Sequence, residues 1–276
     1  VNQGFEQSVG TYVDGIYFGR PRQLRAPFFD LERIEVLRGP QSILFGKNSI
    51  AGALNLVSAK PTDEFEGSVS ALLEPDHGEL ETSLVLSGPL SDTLSGRLAL
   101  RYREMDGFID NVAKDIDEME TEETVVRGAL RWDASDNLQV DLKLETGEFN
   151  SVGRNSIIIG SPAPGGATPV VGDFTRKAAL DPEFSDNNYD NATLTLNYQL
   201  GEYELVSITG WSAYDYTEEV DTDFGVGSTV QSPAAEDFEQ LSQELRLVSP
   251  LGETFEHIVG VFYQTSEIDY EEPAQI

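Results

Sequence analysis

Residues Asp30–Pro61, DLERIEVLRGPQSILFGKNSIAGALNLVSAKP, decide the fold. Two apolar runs, Ile34-Glu35-Val36-Leu37 and Ala53-Leu54-Asn55-Leu56-Val57, flank Gly39, Pro40, Gly46, Asn48 and Gly52. Apolar runs bounded by chain-turning residues predict a strand, a turn, a short irregular link and a second strand. Just upstream, Ser8 to Val13 and Ile16 to Phe18 flank Asp14-Gly15. That dipeptide favours a tight hairpin, because the turn needs positive φ at both central positions. Arg20-Pro21-Arg22 and Arg25-Ala26-Pro27 then form a basic, proline-punctuated loop. With Arg33, Arg38 and Lys47 they make this segment basic within an acidic chain, and the shift in composition predicts a boundary near residue 62.

The whole chain has 276 residues, a formal net charge of -31 and a sequence pI of about 4.1. This acidity argues against a nucleic-acid partner, since phosphate binding needs a basic face. The acidity fits a solvated surface or an external vestibule that attracts cations. With no cysteine there is no disulfide, thiolate metal site or Cys nucleophile. No apolar run is long enough for a membrane-spanning helix, but a barrel strand needs only about ten alternating residues. The chain begins with Val and shows no signal segment, so it is expected to be a piece of a longer protein.

Beyond residue 62 the pattern has period two. Leu94, Leu98, Leu100 and Tyr102 alternate with Arg97, Arg101 and Arg103; Leu138, Val140, Leu142 and Leu144 alternate with Gln139, Asp141, Lys143 and Glu145. One face is apolar and the other polar. Strands are expected to start near Glu66, Glu81, Leu94, Glu122, Leu138, Asn191, Tyr203, Asp237 and Phe255. Short links near Pro89–Thr93, Ala134–Asn137, Gly201–Glu202 and Pro250–Glu253 alternate with long ones at Asp106–Glu123, Phe149–Asn187 and Glu218–Glu236, Pro75–Glu79 being a short exception. Short turns on one side and long loops on the other are the pattern of an outer-membrane barrel. An odd count of strands with an unpaired last strand cannot close, so more strands are expected to follow. Trp132, Tyr198, Tyr203 and Phe255 beside short turns, and Phe108, Phe149, Tyr214 and Tyr216 beside long loops, are placed for the two membrane–water boundaries. Alternation alone fits a soluble β-sandwich equally well.

Taken together, Val13-Asp14-Gly15, Arg33 to Pro40, Gly46-Lys47-Asn48 and Ala51-Gly52 resemble the second half of the plug domain of TonB-dependent outer-membrane receptors; the family usually has two glycines where Ala51-Gly52 stands. Ser242 to Leu247 and Gly260 to Tyr263 resemble two mid-barrel strands of the same family. The resemblance implies an all-β fold with a small α/β plug portion: residues 1–61 the C-terminal part of a plug, residues 62–276 the N-terminal part of a transmembrane antiparallel up-and-down barrel of about 22 strands. It implies a receptor in the outer membrane of a Gram-negative bacterium, embedded in its lipid, that binds and imports a scarce ligand by energised plug rearrangement. The ligand is a ferric siderophore by default, with cobalamin, haem or an oligosaccharide as alternatives. The implied protein partner is TonB with ExbB–ExbD, through a segment absent from this sequence. The family is not enzymatic and needs no cofactor. A passive porin and a soluble carbohydrate-binding sandwich are the rival readings.

Enzyme and metal signatures fail on spacing. Gly39 and Gly46 stand too far apart for a phosphate loop, and His77 and His257 are isolated. Asp186 to Asn191 and Asp115 to Glu123 are oxygen-rich but lack calcium-loop spacing, and read as solvated loops. Tyr17, Phe18, Arg20 and Arg22 follow the hairpin turn where family plugs present apical loops; they are candidate ligand contacts, or plug packing. Arg33 and Arg38 need partners if the plug fills a barrel, and lumen-facing Glu244 is the expected one, since desolvating a lone charge costs several kcal/mol. The Pro- and Gly-rich Ser151–Lys177 link is a candidate lid.

Overall fold

Asp14 and Gly15 both take positive φ, 51° and 83°, and fold the first two strands into the hairpin their spelling predicts. The computed structural model describes residues 8–25, 28–40, 49–154, 176–177, 179–221, 231–250, 252 and 255–271. Gly46-Lys47-Asn48 and residues 155–175 of the candidate lid lie outside them. Strands β1 (Val9–Val13) and β2 (Ile16–Tyr17), a 3-10 turn at Pro21–Gln23, β3 (Leu31–Arg38) and β4 (Gly52–Ser58) make a small sheet of order β2-β1-β4-β3. β4 runs parallel to β1 and antiparallel to β3. Among the described residues this domain holds no α-helix, only the 3-10 turn.

The remaining strands are β5 (Glu66–Glu74), β6 (Glu79–Ser91), β7 (Leu94–Met105), β8 (Ile109–Asn111), β9 (Ile116–Glu118), β10 (Glu120–Ser135), β11 (Leu138–Val152), β12 (Arg176–Lys177), β13 (Phe184–Leu200), β14 (Tyr203–Asp221), β15 (Gln231–Val248) and β16 (Ile258–Glu271). Nine of them form one antiparallel sheet, β16-β15-β14-β13-β11-β10-β7-β6-β5, each paired with its sequence neighbours among the nine. β12, β8 and β9 form a small separate sheet in the long-loop region. The nine strands are those the alternation marks, but several run further into the long-loop side. β13 begins at Phe184, so Asp186 to Asn191 is strand and not loop; β14 continues to Asp221 and β15 starts at Gln231.

Period two sorts the large sheet into two faces. Leu98, Leu130, Trp132, Leu144, Tyr198, Leu241, Leu245 and Val261 point outward and are exposed. Arg127, Asn191, Ser212, Gln240 and Ser242 point inward and are buried against the small domain. Toward the long loops the outward face changes from apolar to acidic. There Glu104 lies opposite Glu122, and Asp237 lies opposite both Asp215 and Asp269. Directly opposed like charges repel, so such a row is tolerated where water screens it. Trp132, Tyr198 and Tyr203 face outward near the short turns. Tyr214 and Tyr216 do not face lipid: they share parity with Gly210 and Ser212, point inward, and are 2% and 5% exposed. Phe149 also turns inward, beneath Arg25.

Candidate functional site: the interface between the small domain and the strand wall

The small domain rests on the inner face of β7, β10, β11, β14 and β15 through apolar patches and three charged contacts. Ile16 and Phe18 pack on Ile208, and Phe29 packs on Ala99 and Val125. Gly210 permits the closest approach, since a Cβ built there would lie 2.3 Å from Ile16 Cδ1. Gln240 Nε2 donates to Tyr17 O at 2.8 Å, and Gln23 Nε2 donates to Ser212 Oγ at 3.0 Å.

The first charged contact is built on the 3-10 turn. Pro21 fixes the turn and projects Arg22 to the wall, where its guanidinium pairs with Glu236 and lies 3.8 Å from Glu218 Oε1. Its Cζ sits 3.6 Å from the Tyr216 ring centroid, a cation–π contact. Tyr214 donates its hydroxyl proton to the same Glu236 and stacks on Phe238 at 5.0 Å. Burial works to lower the Arg22 value, but Glu236 and Tyr216 outweigh it and hold the guanidinium above its ordinary range. Arg25, next along, lies over Phe149 at 4.7 Å and Tyr216 at 6.0 Å; burial holds it below its ordinary value.

The second contact uses the hairpin turn itself. Asp14 accepts from Ser58 N and Ser58 Oγ, both at 2.8 Å, and pairs with Lys143 of β11. Lys143 Nζ also donates to Ser58 Oγ at 3.1 Å. Burial raises the Asp14 carboxyl, but the Lys143 ammonium and the Ser58 hydrogen bonds overcome that and hold it below the usual carboxylate range. The third contact is at Asp30, where Arg97 of β7 binds the carboxylate in a fork, Nη2 to Oδ1 at 2.5 Å and Nε to Oδ2 at 3.0 Å. Arg127 of β10 donates to Phe29 O at 2.7 Å and Asp30 O at 3.0 Å while pairing with Glu145 at 2.5 Å.

The residues singled out from sequence are distributed differently from expectation. Tyr17 and Phe18 are 4% and 7% exposed and serve packing. Arg22 is a strand-wall ion pair, and Arg20 is partly buried, its N–H bonded to Gln23 Oε1 at 3.0 Å. The expected pairing of Arg33 and Arg38 with Glu244 is corrected. Arg33 lies on the far, exposed edge of the small sheet and pairs with Glu32 and Glu35, while Glu244 pairs with Arg246 two residues along its own strand. No ion pair joins Arg38 to Glu244 among the described residues. At the three charged contacts the inward charges are paired, with an acid on the small domain at two of them and a base at one. Asp14, Asp30, Arg97 and Lys143 were missed because Asp14-Gly15 reads as a turn and Asp30 as a strand boundary. The available signal was parity, since Arg97 and Lys143 lie on the polar faces of their strands.

At the long-loop end a second ionic cluster joins two loops. Lys177 pairs with Glu118 and with Glu183 at 2.5 Å, and Lys114 Nζ reaches Glu118 Oε1 at 3.1 Å. Asn111 Nδ2 donates to Glu118 Oε1 at 2.8 Å and to Ala179 O at 2.7 Å. Burial raises the Glu118 carboxyl; Lys177, Asn111 and Lys114 reverse this and hold it low.

A wall of up-and-down strands, apolar outside and polar inside, with a small domain ion-paired to its inner face, defines a plugged outer-membrane barrel. Residues 2–53 match the family model described as the TonB-dependent Receptor Plug Domain. The chain is 28% identical over 186 residues to the ferrioxamine B receptor of Salmonella typhimurium, covering 67% of this chain and 25% of that protein. It is 24% identical over 255 residues to the ferripyoverdine receptor of Pseudomonas aeruginosa, covering 84% of this chain and 30% of that one. The crystal structure of the ferric yersiniabactin uptake receptor from Yersinia pestis superposes with a TM-score of 0.80 at 22% identity, covering 96% of this chain and 41% of that one. The chain is thus similar to TonB-dependent outer-membrane receptors, through the plug model at its start and through these relatives over most of its length, and it spans between a quarter and a third of the length of these two curated relatives.

Proposed function

We propose that this chain forms plug and barrel wall of a receptor that captures a ferric siderophore outside the cell and admits it to the periplasm when TonB, energised by ExbB–ExbD, rearranges the plug. The plug–barrel boundary falls between Ser58 and Glu66. The observation that carries the reading is the seat of the plug. It is fastened by ion pairs and side-chain hydrogen bonds at Arg22, Asp14 and Asp30, with apolar contact confined to small patches. Ion pairs and hydrogen bonds exchange with water when a mechanical pull opens them, whereas a continuous dry core resists sliding as one unit. The names of the relatives, receptors for ferrioxamine B and ferripyoverdine, support a ferric siderophore over cobalamin, haem or saccharide. At the plug apex, Arg20 is assigned to the ligand side, and Tyr17, Phe18 and Arg22 are assigned to holding the apex in place.

The test uses the intact gene. Uptake of radiolabelled ferric siderophores is compared in deletion and complemented cells, with and without a protonophore. Uptake that requires both gene and proton gradient is expected. Gene-dependent uptake that ignores the protonophore would identify a passive pore and refute the mechanism.

A further inference from the structure

We infer that Glu218 couples the outer loops to the plug: Arg22 at the plug apex and Arg154 at the root of the loop cluster compete for its one carboxylate, so each is held more tightly when the other is withdrawn. The use of this coupling in transport rests on the import reading, and it names a residue through which plug movement and loop order regulate each other.

The contacts run without a break from plug to loops. Glu218 lies near the outer end of β14 and shares inward parity with Tyr214 and Tyr216. Its Oε1 stands 3.8 Å from Arg22 Nη2. Its Oε2 pairs with Arg154 and accepts from the Tyr216 hydroxyl at 2.8 Å. Arg154 follows directly on Gly153, whose N–H donates to Glu183 O at 2.7 Å, and the Arg154 carbonyl accepts from Lys177 Nζ at 3.0 Å. Lys177 in turn pairs with Glu118 and Glu183. Gly153 takes a φ of 82°, and a Cβ built there would lie 2.6 Å from Glu118 Cβ, so the chain is pressed against the cluster just before Arg154. Arg154 therefore moves with the loop cluster, whereas Arg22 moves with the plug.

One carboxylate between two guanidiniums on separate bodies makes them rivals. Arg154 takes the closer share, and Arg22 meets Glu218 at long range while Glu236 holds it directly. Withdrawing Arg154 removes a like charge from beside Arg22 and frees Oε2, so the carboxylate can turn fully to Arg22. The Tyr216 hydroxyl keeps it from swinging away. Both effects act in one direction. Two unit charges about 8 Å apart change an equilibrium by about twofold in water and by about thirtyfold at an effective dielectric constant of about 20. The Glu218 and Arg154 side chains are 16% and 35% exposed, which places this site between those limits, and about fivefold follows. Linkage makes the coupling reciprocal. A plug that carries Arg22 away leaves Glu218 to Arg154 and steadies the loop cluster by the same factor, so the outer loops are braced while the plug is displaced.

Plug seating is measured by urea titration of the purified full-length receptor, otherwise free of cysteine, with a spin label on Phe28→Cys at an exposed plug position. Arg154→Met is expected to strengthen seating about fivefold, and Arg154→Lys, which keeps the charge, to stay within about twofold of wild type. With Glu218→Gln, Arg154 has no carboxylate to hold it beside Arg22, and Arg154→Met is then expected to change seating by less than about twofold. Amide exchange at Gly153 is expected to slow about fivefold in Arg22→Met, and not in Arg22→Met combined with Glu218→Gln; loss of packing alone would speed it instead. Seating that is weakened or unchanged by Arg154→Met, or an equal gain with and without Glu218, overturns the coupling. Uptake assays separate this result from the import reading. Protonophore-insensitive uptake with the coupling intact refutes plug-driven import and leaves Glu218 as the link between loops and plug. Energised uptake with no coupling refutes the link and leaves import standing.

Discussion

Removing Glu236 tests whether the plug is held by charge. The Arg22 and Glu236 side chains are 12% and 4% exposed, so Glu236→Gln leaves a desolvated guanidinium without its main partner. Truncating one member of a buried pair costs about 3–5 kcal/mol. Two features reduce that here: Glu218 Oε1 stays 3.8 Å away, and the Tyr216 ring still lies 3.6 Å beneath the guanidinium. A loss of about 2–3 kcal/mol in plug seating follows for Glu236→Gln, and about 3 kcal/mol for Arg22→Met, which also strips Glu236 of its cation. The double variant should lose less than the sum, with a coupling of about 2 kcal/mol. These 276 residues contain no cysteine, so a cysteine in place of the exposed Phe28 can carry a spin label on the plug once any cysteine elsewhere in the full receptor is replaced by serine. Urea titration of the full receptor in detergent, followed by label mobility, gives the four free energies. Additivity within about 0.5 kcal/mol would refute the reasoning. The pair Arg38→Met and Glu244→Gln serves as the control and should be additive, since the two side chains form no ion pair.

Three further outcomes are expected. Asp14 has a folded-state value below its unfolded value near 3.9, so its contribution is present above about pH 4 and is lost as pH falls through the lower folded value; acid should free the labelled plug, and Asp14→Asn should flatten that part of the profile. An acid profile identical in wild type and variant would count against the Asp14–Lys143 contact. Gly210→Val should disturb the seat by about 1–3 kcal/mol in the same urea titration, because the new side chain meets Ile16 within 2.3 Å of the added Cβ. Lys177→Met should leave Glu118 and Glu183 buried without their shared cation, costing about 3–5 kcal/mol locally; hydrogen exchange at Phe108 and Gly153, whose amides bond Glu118 O and Glu183 O, should accelerate while β14 stays protected.

The barrel strands were legible because Leu94 to Tyr102 and Leu138 to Leu144 alternate apolar and charged residues without interruption, and only a two-sided sheet satisfies that pattern. The outer ends of β13, β14 and β15 were not legible. There the outward residues are Asn, Asp and Glu, so alternation continues in geometry but disappears in hydropathy. The same parity explains Tyr214 and Tyr216. Proximity to a long loop suggested a lipid boundary, while position on the strand turned both inward onto Arg22 and Glu236. The ion pairs of the site span sequence separations set by three-dimensional packing. Asp14 meets Lys143 and Asp30 meets Arg97, and no local rule joins them. Arg33 misled because a plug filling a barrel was expected to pair its charges with the wall, whereas this strand is an edge whose exposed arginine is satisfied by Glu32 and Glu35 of the same strand.

The opposed carboxylates on the outward face act as a waterline. From Tyr203 to Asp215 the strand climbs about 30 Å along the barrel axis, allowing for about 3.3 Å per residue and a tilt near 40°, which matches the apolar band of an outer-membrane barrel. The row at Asp215, Asp237 and Asp269 cannot sink below the headgroups, so the depth of every inward residue is fixed with it. Glu236 then stands at the level of the headgroups, while Lys143, reached through Thr193 opposite Gly210, stands near mid-membrane. The Arg22 and Asp14 fastenings therefore occupy different surroundings: the Arg22 contact stands at the level of the outer headgroups, and the Asp14 contact stands lower and borders a cavity that Ser58, Lys143, Glu244 and Ser249 also line toward the short turns.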